Sequence, residues 1–375
     1  MNVAQEELHP LEIRYPEKVH HLSQVFNDTT TSYKIVWFMA ILSLLKDRDT
    51  AEIRLDDVFV EMAAIAWHPV CLFMLSLGRQ DKLQDVVTDI RNLSDLPPNA
   101  SRAHIRQWVG SSQQAKAKLE FLRRYVPTRF LTPWFTTTLS GIRSDLQRSE
   151  MIRQLAKSSQ RSFNPSPYRI EGDSIVLHPW WFAFFRDNLG VVAAFAKHSF
   201  AIYLQARNPS VPGIINKLDA PASRQLTSAR RCWKHVLEKL SQSNHGAKFV
   251  DIYTGKRLEA DFSIDHFLPW TFVAHDLFWN LTPVSASTNA RKSNNLPNLD
   301  LYLPKLVAMH HPAISVMHDH PSLIEDYLDC FKVGIHELTS MSPRLLFQRY
   351  QAVVAPQTQI ALNQGFRGDW KLSNN

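Results

Sequence analysis

Residues 263–297 read SIDHFLPWTFVAHDLFWNLTPVSASTNARKSNNLP. The stretch opens on Asp265-His266, runs through an aromatic wall that closes on Trp279-Asn280, and then offers Asn289 with Lys292 three residues on. Aromatic side chains gain by burial, whereas Asp, His, Asn and Lys are costly to bury unless each finds a partner. A segment that interleaves the two kinds is either a set of caps and turn residues or a polar site built on an apolar wall.

Just upstream, Phe249 to Tyr253 and Phe262 to His266 are short β-type runs on either side of the turn TGKRLEAD. They predict a two-stranded antiparallel hairpin. The polar run STNARKSNN supplies Ser and Thr caps ahead of Asn289 and predicts a short helix. Strand, strand, loop and helix together make a small ββα unit. Taken singly, Asp265 ends a strand, Asn280 caps a turn and Asn289 caps a helix, and each alone is more often structural than chemical. Their joint spacing inside one aromatic frame carries the information.

The arrangement resembles the HNH endonucleases, or ββα-metal nucleases, over roughly residues 230–300. The resemblance rests on Asp265-His266, Asn280, Asn289 with Lys292, and Leu296-Pro297, framed by Phe267, Pro269, Trp270, Trp279 and Leu281. The Asn280–Asn289–Lys292 spacing is similar to that of the HNH domain in RNA-guided DNA nucleases. The resemblance implies hydrolysis of phosphodiester bonds in DNA. His266 would be the general base, because an imidazole ordinarily titrates close to neutral pH. Asp265 and Asn289 would be metal ligands, two hard oxygen donors suited to Mg²⁺ or Mn²⁺. Asn289 stands where many family members have a histidine, which favours Mg²⁺. Asn280 would tie its loop to the backbone near His266, and Lys292 would contact phosphate or the site's carboxylate. Neighbours on a strand face opposite sides, so a distortion at Asp265-His266 is expected, as in the family. Lys256, Arg257 and Arg291 flank the motif as candidate DNA contacts. His275 and Asp276 read as loop-surface residues, and Trp270 and Trp279 as core.

Charge widens the picture. Lys and Arg number 42 against 35 Asp and Glu, a net +7 in 375 residues. The excess concentrates between Ser101 and Arg169, where Arg123, Arg124 and many other cations face only Glu120, Asp145 and Glu150. Such a stretch suits phosphate neutralisation and adds Arg123 and Arg124 to the candidate DNA contacts. Cys71, Cys232 and Cys330 are sparse and unpaired in spacing. They argue against a disulfide framework or thiolate zinc and fit a reducing cytoplasm. The N-terminus lacks an apolar h-region. The segments Ile35–Leu45 and Val58–Leu77 are too short or too interrupted to span a bilayer, so no membrane insertion is expected. No Walker motif is present.

Along the chain, helical periodicity runs through Thr31–Asp47, Leu55–Leu77 (broken at Pro69), Gln80–Leu93, His104–Arg124 and residues 141–162. Tyr168–His178 predicts a hairpin around Gly172-Asp173, and Trp180–Gln205 predicts deeply packed helix. The run NPSVPGIINKLDAPAS marks a boundary near residues 207–223, and Thr227–Ser241 reads as a basic amphipathic helix. The expected class is α+β. A helix-rich domain (1–210, binding DNA or a partner) would precede an HNH domain (211–305) and a helical C-terminal extension (306–375). The histidines of MHHPAISVMHDHP, residues 309–321, read as surface loop and helix starts rather than a zinc site.

The resemblance extends to HNH components of bacterial anti-phage systems, including the Zorya type, and implies partners in a defence complex. Two alternatives stay open on sequence: a nuclease acting on RNA, and a non-catalytic DNA-binding or scaffold protein with a relict HNH fold.

Overall fold

The computed structural model describes residues 16–46, 48–124, 126–219, 226–242, 250–317 and 321–373. The chain divides into two compact units, Met1–Pro209 with Lys217–Ala220, and Ser210–Asn216 with Pro221–Asn375. The class is α+β: helices predominate, with two small antiparallel sheets among the described residues.

In the first unit, α1 (Pro16–Ser23), α2 (Tyr33–Leu45), β1 (Glu52–Arg54) and α3 (Leu55–Trp67) lead the order. α2 and α3 are apolar on nearly every face and are buried accordingly, Trp37, Phe38 and Trp67 completely. Asp56 and Asp57 occupy the first turn of α3, where negative charge offsets the helix dipole. The helix does not break at Pro69: a π-helical turn, His68–Leu72, carries the chain on, with Phe73 N–H reaching back to the His68 carbonyl at 3.0 Å. The wider turn absorbs the missing proline N–H. There follow α4 (Lys82–Leu93), α5 (Arg102–Ser111), α6 (Gln113–Leu119), α7 (Val126–Arg129) and α8 (Asp145–Ser159).

The hairpin forms at Tyr168–Glu171 (β2) and Ser174–Leu177 (β3), turning on Gly172 at φ 54°. It gains an edge strand in β1, which pairs Ile53 with Ile175 and is too short to announce itself in sequence. α9 (Pro179–Asp187) and α10 (Leu189–Arg207) follow. α10 is less packed than its composition suggests: Phe200 and Leu204 are buried, but Val191 and Ile202 are exposed. By length and composition it is the one helix among the described residues apolar enough to cross a membrane.

Several cations of the basic stretch are paired with acids from elsewhere in this unit. Arg102 and Arg106 each lie 3.4 Å from buried Glu61, and Lys118 meets Asp89 at 2.7 Å. Arg123 is held by Asp56 at 2.8 Å, Asp173 at 2.8 Å and Glu120 at 2.5 Å. Its guanidinium is committed to the fold rather than offered to phosphate. Arg124 is exposed.

The second unit contains α11 (Thr227–Gln242), β4 (Ser263–His266), α12 (Trp270–Val273), β5 (Leu281–Val284) and α13 (Ala286–Lys292). α14 (Leu299–Met317), α15 (Pro321–Phe331), α16 (Ile335–Ser340) and α17 (Pro343–Asn363) complete it. The hairpin differs from the expected one. β4 pairs with β5, not with Phe249–Tyr253, and Phe249 lies outside the described residues. On the upstream side an isolated Val250–Arg257 bridge forms instead. Leu281-Thr-Pro-Val reads as loop because Pro283 cannot donate to a ladder, but in a two-stranded ribbon a proline is tolerated.

The histidine run is also corrected. His310 and His311 sit within α14, which continues through Pro304 and Pro312 because its face from Leu303 to Met317 is buried. His310 Nδ1 lies 2.6 Å from the Tyr327 hydroxyl. His318, Asp319 and His320 lie outside the described residues.

Candidate active site

The ribbon register is Ser263↔Val284, Ile264↔Pro283, Asp265↔Thr282 and His266↔Leu281. It runs without a bulge, so the strand distortion expected at Asp265-His266 is not seen. Consistent with that regularity, the two neighbours find separate partners.

Asp265 is 3% exposed. Its Oδ2 accepts from the Tyr253 hydroxyl at 2.8 Å and its Oδ1 from Lys292 Nζ at 3.1 Å. The same ammonium donates to the His266 carbonyl at 2.6 Å. Lys292 reaches inward because Thr288 and Lys292, four residues apart, share the buried face of α13, while Arg291 is exposed. Ser285 caps that helix, its Oγ accepting from Thr288 N–H at 3.2 Å. Burial pushes the Lys292 pKa below the usual lysine range, opposed by the Asp265 carboxylate. Burial likewise raises the Tyr253 phenol well above its ordinary value, and the charge of Asp265 adds to that, so Tyr253 remains a proton donor.

His266, 5% exposed, turns Nε2 to Asp276 Oδ1 at 2.7 Å. Asp276 is thus not an idle loop residue: the loop folds back and sets it against the imidazole. No local signal in the sequence marks this, since the pairing depends on the path of the chain between the strands.

Asn280 is wholly buried at the end of a 3-10 turn, Phe278–Asn280. Its backbone carbonyl accepts from Phe267 N–H at 2.8 Å. Its side-chain Oδ1 then accepts from Leu268 N–H at 2.8 Å, and Nδ2 donates to the Leu268 carbonyl at 2.9 Å. The amide therefore acts as one more rung of the β4–β5 ladder, imitating a peptide group.

Asn289 is half-buried on α13 and donates Nδ2 to the Ile264 carbonyl at 3.3 Å, which brings it beside β4 next to Asp265. A second residue that sequence reasoning missed, Asp251, ties the preceding loop down. It accepts from Tyr253 N–H at 2.9 Å and Thr254 N–H at 3.2 Å through Oδ1, and from Ser285 N–H at 3.0 Å through Oδ2. Gly255, at φ 70°, closes that turn. Lys256, Arg257 and Arg291 are exposed and line one cavity of about 580 Å³ together with Tyr253.

The donor set can be tested for a cation. Among the described residues no cluster of three or more His, Cys, Asp or Glu could hold a metal. Asp265 and Asn289 offer one carboxylate and one amide, and a carboxylate oxygen that accepts one hydrogen bond keeps a lone pair. Two hard protein oxygens completed by water and phosphate suit Mg²⁺, which seldom relies on an all-protein cage. By type, these donors suit a hard divalent cation, which would share the Asp265 oxygens with the Tyr253 hydroxyl and the Lys292 ammonium.

Comparisons with curated proteins and with solved structures return no match to this chain. Residues 251–298, the segment that carries Tyr253, Asp265, His266, Asn280, Asn289 and Lys292, match the family model described as HNH endonuclease.

Proposed function

We propose that the second unit is a metal-dependent endonuclease that hydrolyses phosphodiester bonds of DNA. The observation that carries this reading is the His266–Asp276 pair, 2.7 Å apart, at the end of the strand that also carries Asp265. A carboxylate on Nε2 fixes the tautomer and leaves Nδ1 to accept a proton. His266 is the general base that takes a proton from the attacking water at Nδ1, and Asp276 stabilises the imidazolium that results. Asp265 and Asn289 are the residues that would hold Mg²⁺ or Mn²⁺. When bound, such a cation supplies positive charge to the phosphoryl oxygens and the leaving oxygen.

Lys292 and Asn280 are positioning residues. Lys292 grips the Asp265 side chain and the His266 main chain at once, which holds the spacing between base and carboxylate. Asn280 holds the chain that leaves β4. Lys256, Arg257 and Arg291 contact the DNA backbone, a role favoured by their convergence on one cavity. Arg123 drops out of this set because three carboxylates hold it. Arg124 is kept as a candidate contact. A role in anti-phage defence, within a Zorya-type or similar complex, completes the reading.

The test is nicking of supercoiled plasmid by the full chain with Mg²⁺, with EDTA and with His266→Ala. Cleavage that needs Mg²⁺ and falls by about 10²- to 10⁴-fold in the variant supports the assignment. Equal nicking by the variant removes His266 as the base. A parallel assay on single-stranded and duplex RNA fixes the substrate class.

A further inference from the structure

We infer that the C-terminal segment 366–373 is a working part of this site, holding Tyr253 in place so that Tyr253 can hold Asp265. The inference rests on the nuclease reading above and extends the site well beyond the segment that matches the family model.

The geometry forms a continuous chain of contacts within the second unit. Tyr253 gives its only hydroxyl proton to Asp265 Oδ2 at 2.8 Å. Its ring is caged by two others set nearly perpendicular to it, Tyr302 at 4.9 Å and Trp370 at 5.2 Å between centroids. Edge-to-face packing of this kind restricts a ring more than apolar contact alone. Trp370 is itself pinned by backbone bonds to the chain that follows α13. Its N–H donates to the Leu296 carbonyl at 2.9 Å, and its carbonyl accepts from Asn298 N–H at 3.0 Å. Leu296 N–H reaches the Arg367 carbonyl at 2.8 Å, and Leu372 N–H reaches the Tyr302 hydroxyl at 3.0 Å. The terminal segment is thus laid as a short strand beside residues 296–298, with Pro297 and Trp370 in bridge register.

The physical consequence concerns Asp265. A carboxylate can rotate about its Cβ–Cγ bond, and only fixed donors prevent that. Lys292 supplies one donor on a flexible stem, whereas Tyr253 supplies the other on a rigid ring. If the cage opens, the phenol no longer stays over Oδ2, and the carboxylate loses the orientation it needs to present an oxygen to a cation. Groups that orient a metal-binding residue in this way typically contribute about 10- to 100-fold in metal affinity or activity.

The experiment compares the full-length wild type with Tyr253→Phe, Trp370→Ala, Trp370→Phe, the double variant Tyr253→Phe/Trp370→Ala, and Arg344→Ala as an exposed control outside the segment. Mn²⁺ affinity is read by calorimetry and kcat and KM by plasmid nicking, with a thermal melt for each protein. Tyr253→Phe and Trp370→Ala should each weaken Mn²⁺ binding and lower kcat by about tenfold, with KM for DNA unchanged. The double variant should be little worse than either single one, because both act through the same hydroxyl. Trp370→Phe, which keeps a ring in the cage, should recover most of the loss, and it carries the test if Trp370→Ala melts early. Wild-type Mn²⁺ affinity and kcat in Tyr253→Phe would overturn this proposal while leaving the nuclease reading intact. Multiplicative losses in the double variant would overturn the linkage through Tyr253. A wild-type chain that neither binds Mn²⁺ nor nicks DNA would overturn both the proposal and the reading beneath it.

Discussion

Asp276 Oδ1 and His266 Nε2 stand 2.7 Å apart, although ten residues of chain separate them. The loop between the two strands therefore does more than connect them: it returns a carboxylate to the imidazole at the end of β4.

If Asp276 orients the base, Asp276→Asn should keep a hydrogen-bond acceptor but lose the charge that stabilises imidazolium. A fall in kcat of about 10- to 100-fold, with KM for DNA little changed, is expected in single-turnover nicking. Asp276→Ala should cost at least as much, and neither should add to His266→Ala.

Asn280→Ala should act on stability before activity. It strips the partners from the buried Leu268 N–H and C=O, and each buried polar group left unpaired costs about 1–3 kcal/mol. Urea unfolding of the full chain should show a loss of about 2–6 kcal/mol for the second unit. Asn280→Asp should be no better, because a carboxylate oxygen would then face the Leu268 carbonyl.

Acid should weaken the fold through His310. Burial lowers its pKa to about 3, with the Leu281 carbonyl pulling the other way, and Tyr327 and Tyr350 pack against the ring. Between that value and the ordinary histidine value near 6.5, the unfolded chain binds a proton that the folded chain refuses, so stability falls as pH drops across this window and levels off below about 3. At one pKa unit per ~1.4 kcal/mol, the loss from this residue reaches about 2 kcal/mol by pH 5. His310→Gln, which does not titrate, should flatten the pH dependence of the unfolding free energy by that amount.

Charge substitutions should separate two surfaces. Arg123→Ala removes a guanidinium shared by Asp56, Glu120 and Asp173 and placed over the Phe59 ring, so it should lower the melting temperature of the first unit and leave DNA affinity unchanged. Lys256→Ala and Arg257→Ala should instead leave the melt unchanged and reduce the salt slope of DNA binding, by about 0.9 for each phosphate that is no longer neutralised. Filter binding across a salt series reads both.

Much of the candidate site's composition is legible in the sequence because its polar residues lie at close spacing along one chain segment. Asp265, His266, Asn280, Asn289 and Lys292 are read together for that reason, and the aromatic wall between them announces burial. What the sequence hides is anything that depends on the path of the chain. Pro283 obscures the pairing of β4 with β5, and Asp276 and Tyr253 acquire meaning only once their loops fold back. Arg102, Arg106, Lys118 and Arg123 look unopposed along the chain because their acids, Glu61, Asp89, Asp56 and Asp173, lie outside that stretch. Pro312 signals a break that α14 does not make, because a local rule against proline yields to a long buried face.

The cage around Tyr253 bears on how this unit could be cut out, grafted or inherited. Tyr302 and Trp370 lie beyond residue 298, where the matched segment ends. A transplant trimmed to residues 251–298 would keep every polar group of the site and leave behind two of the three rings that steady it. A portable piece of this unit therefore extends at least through Trp370.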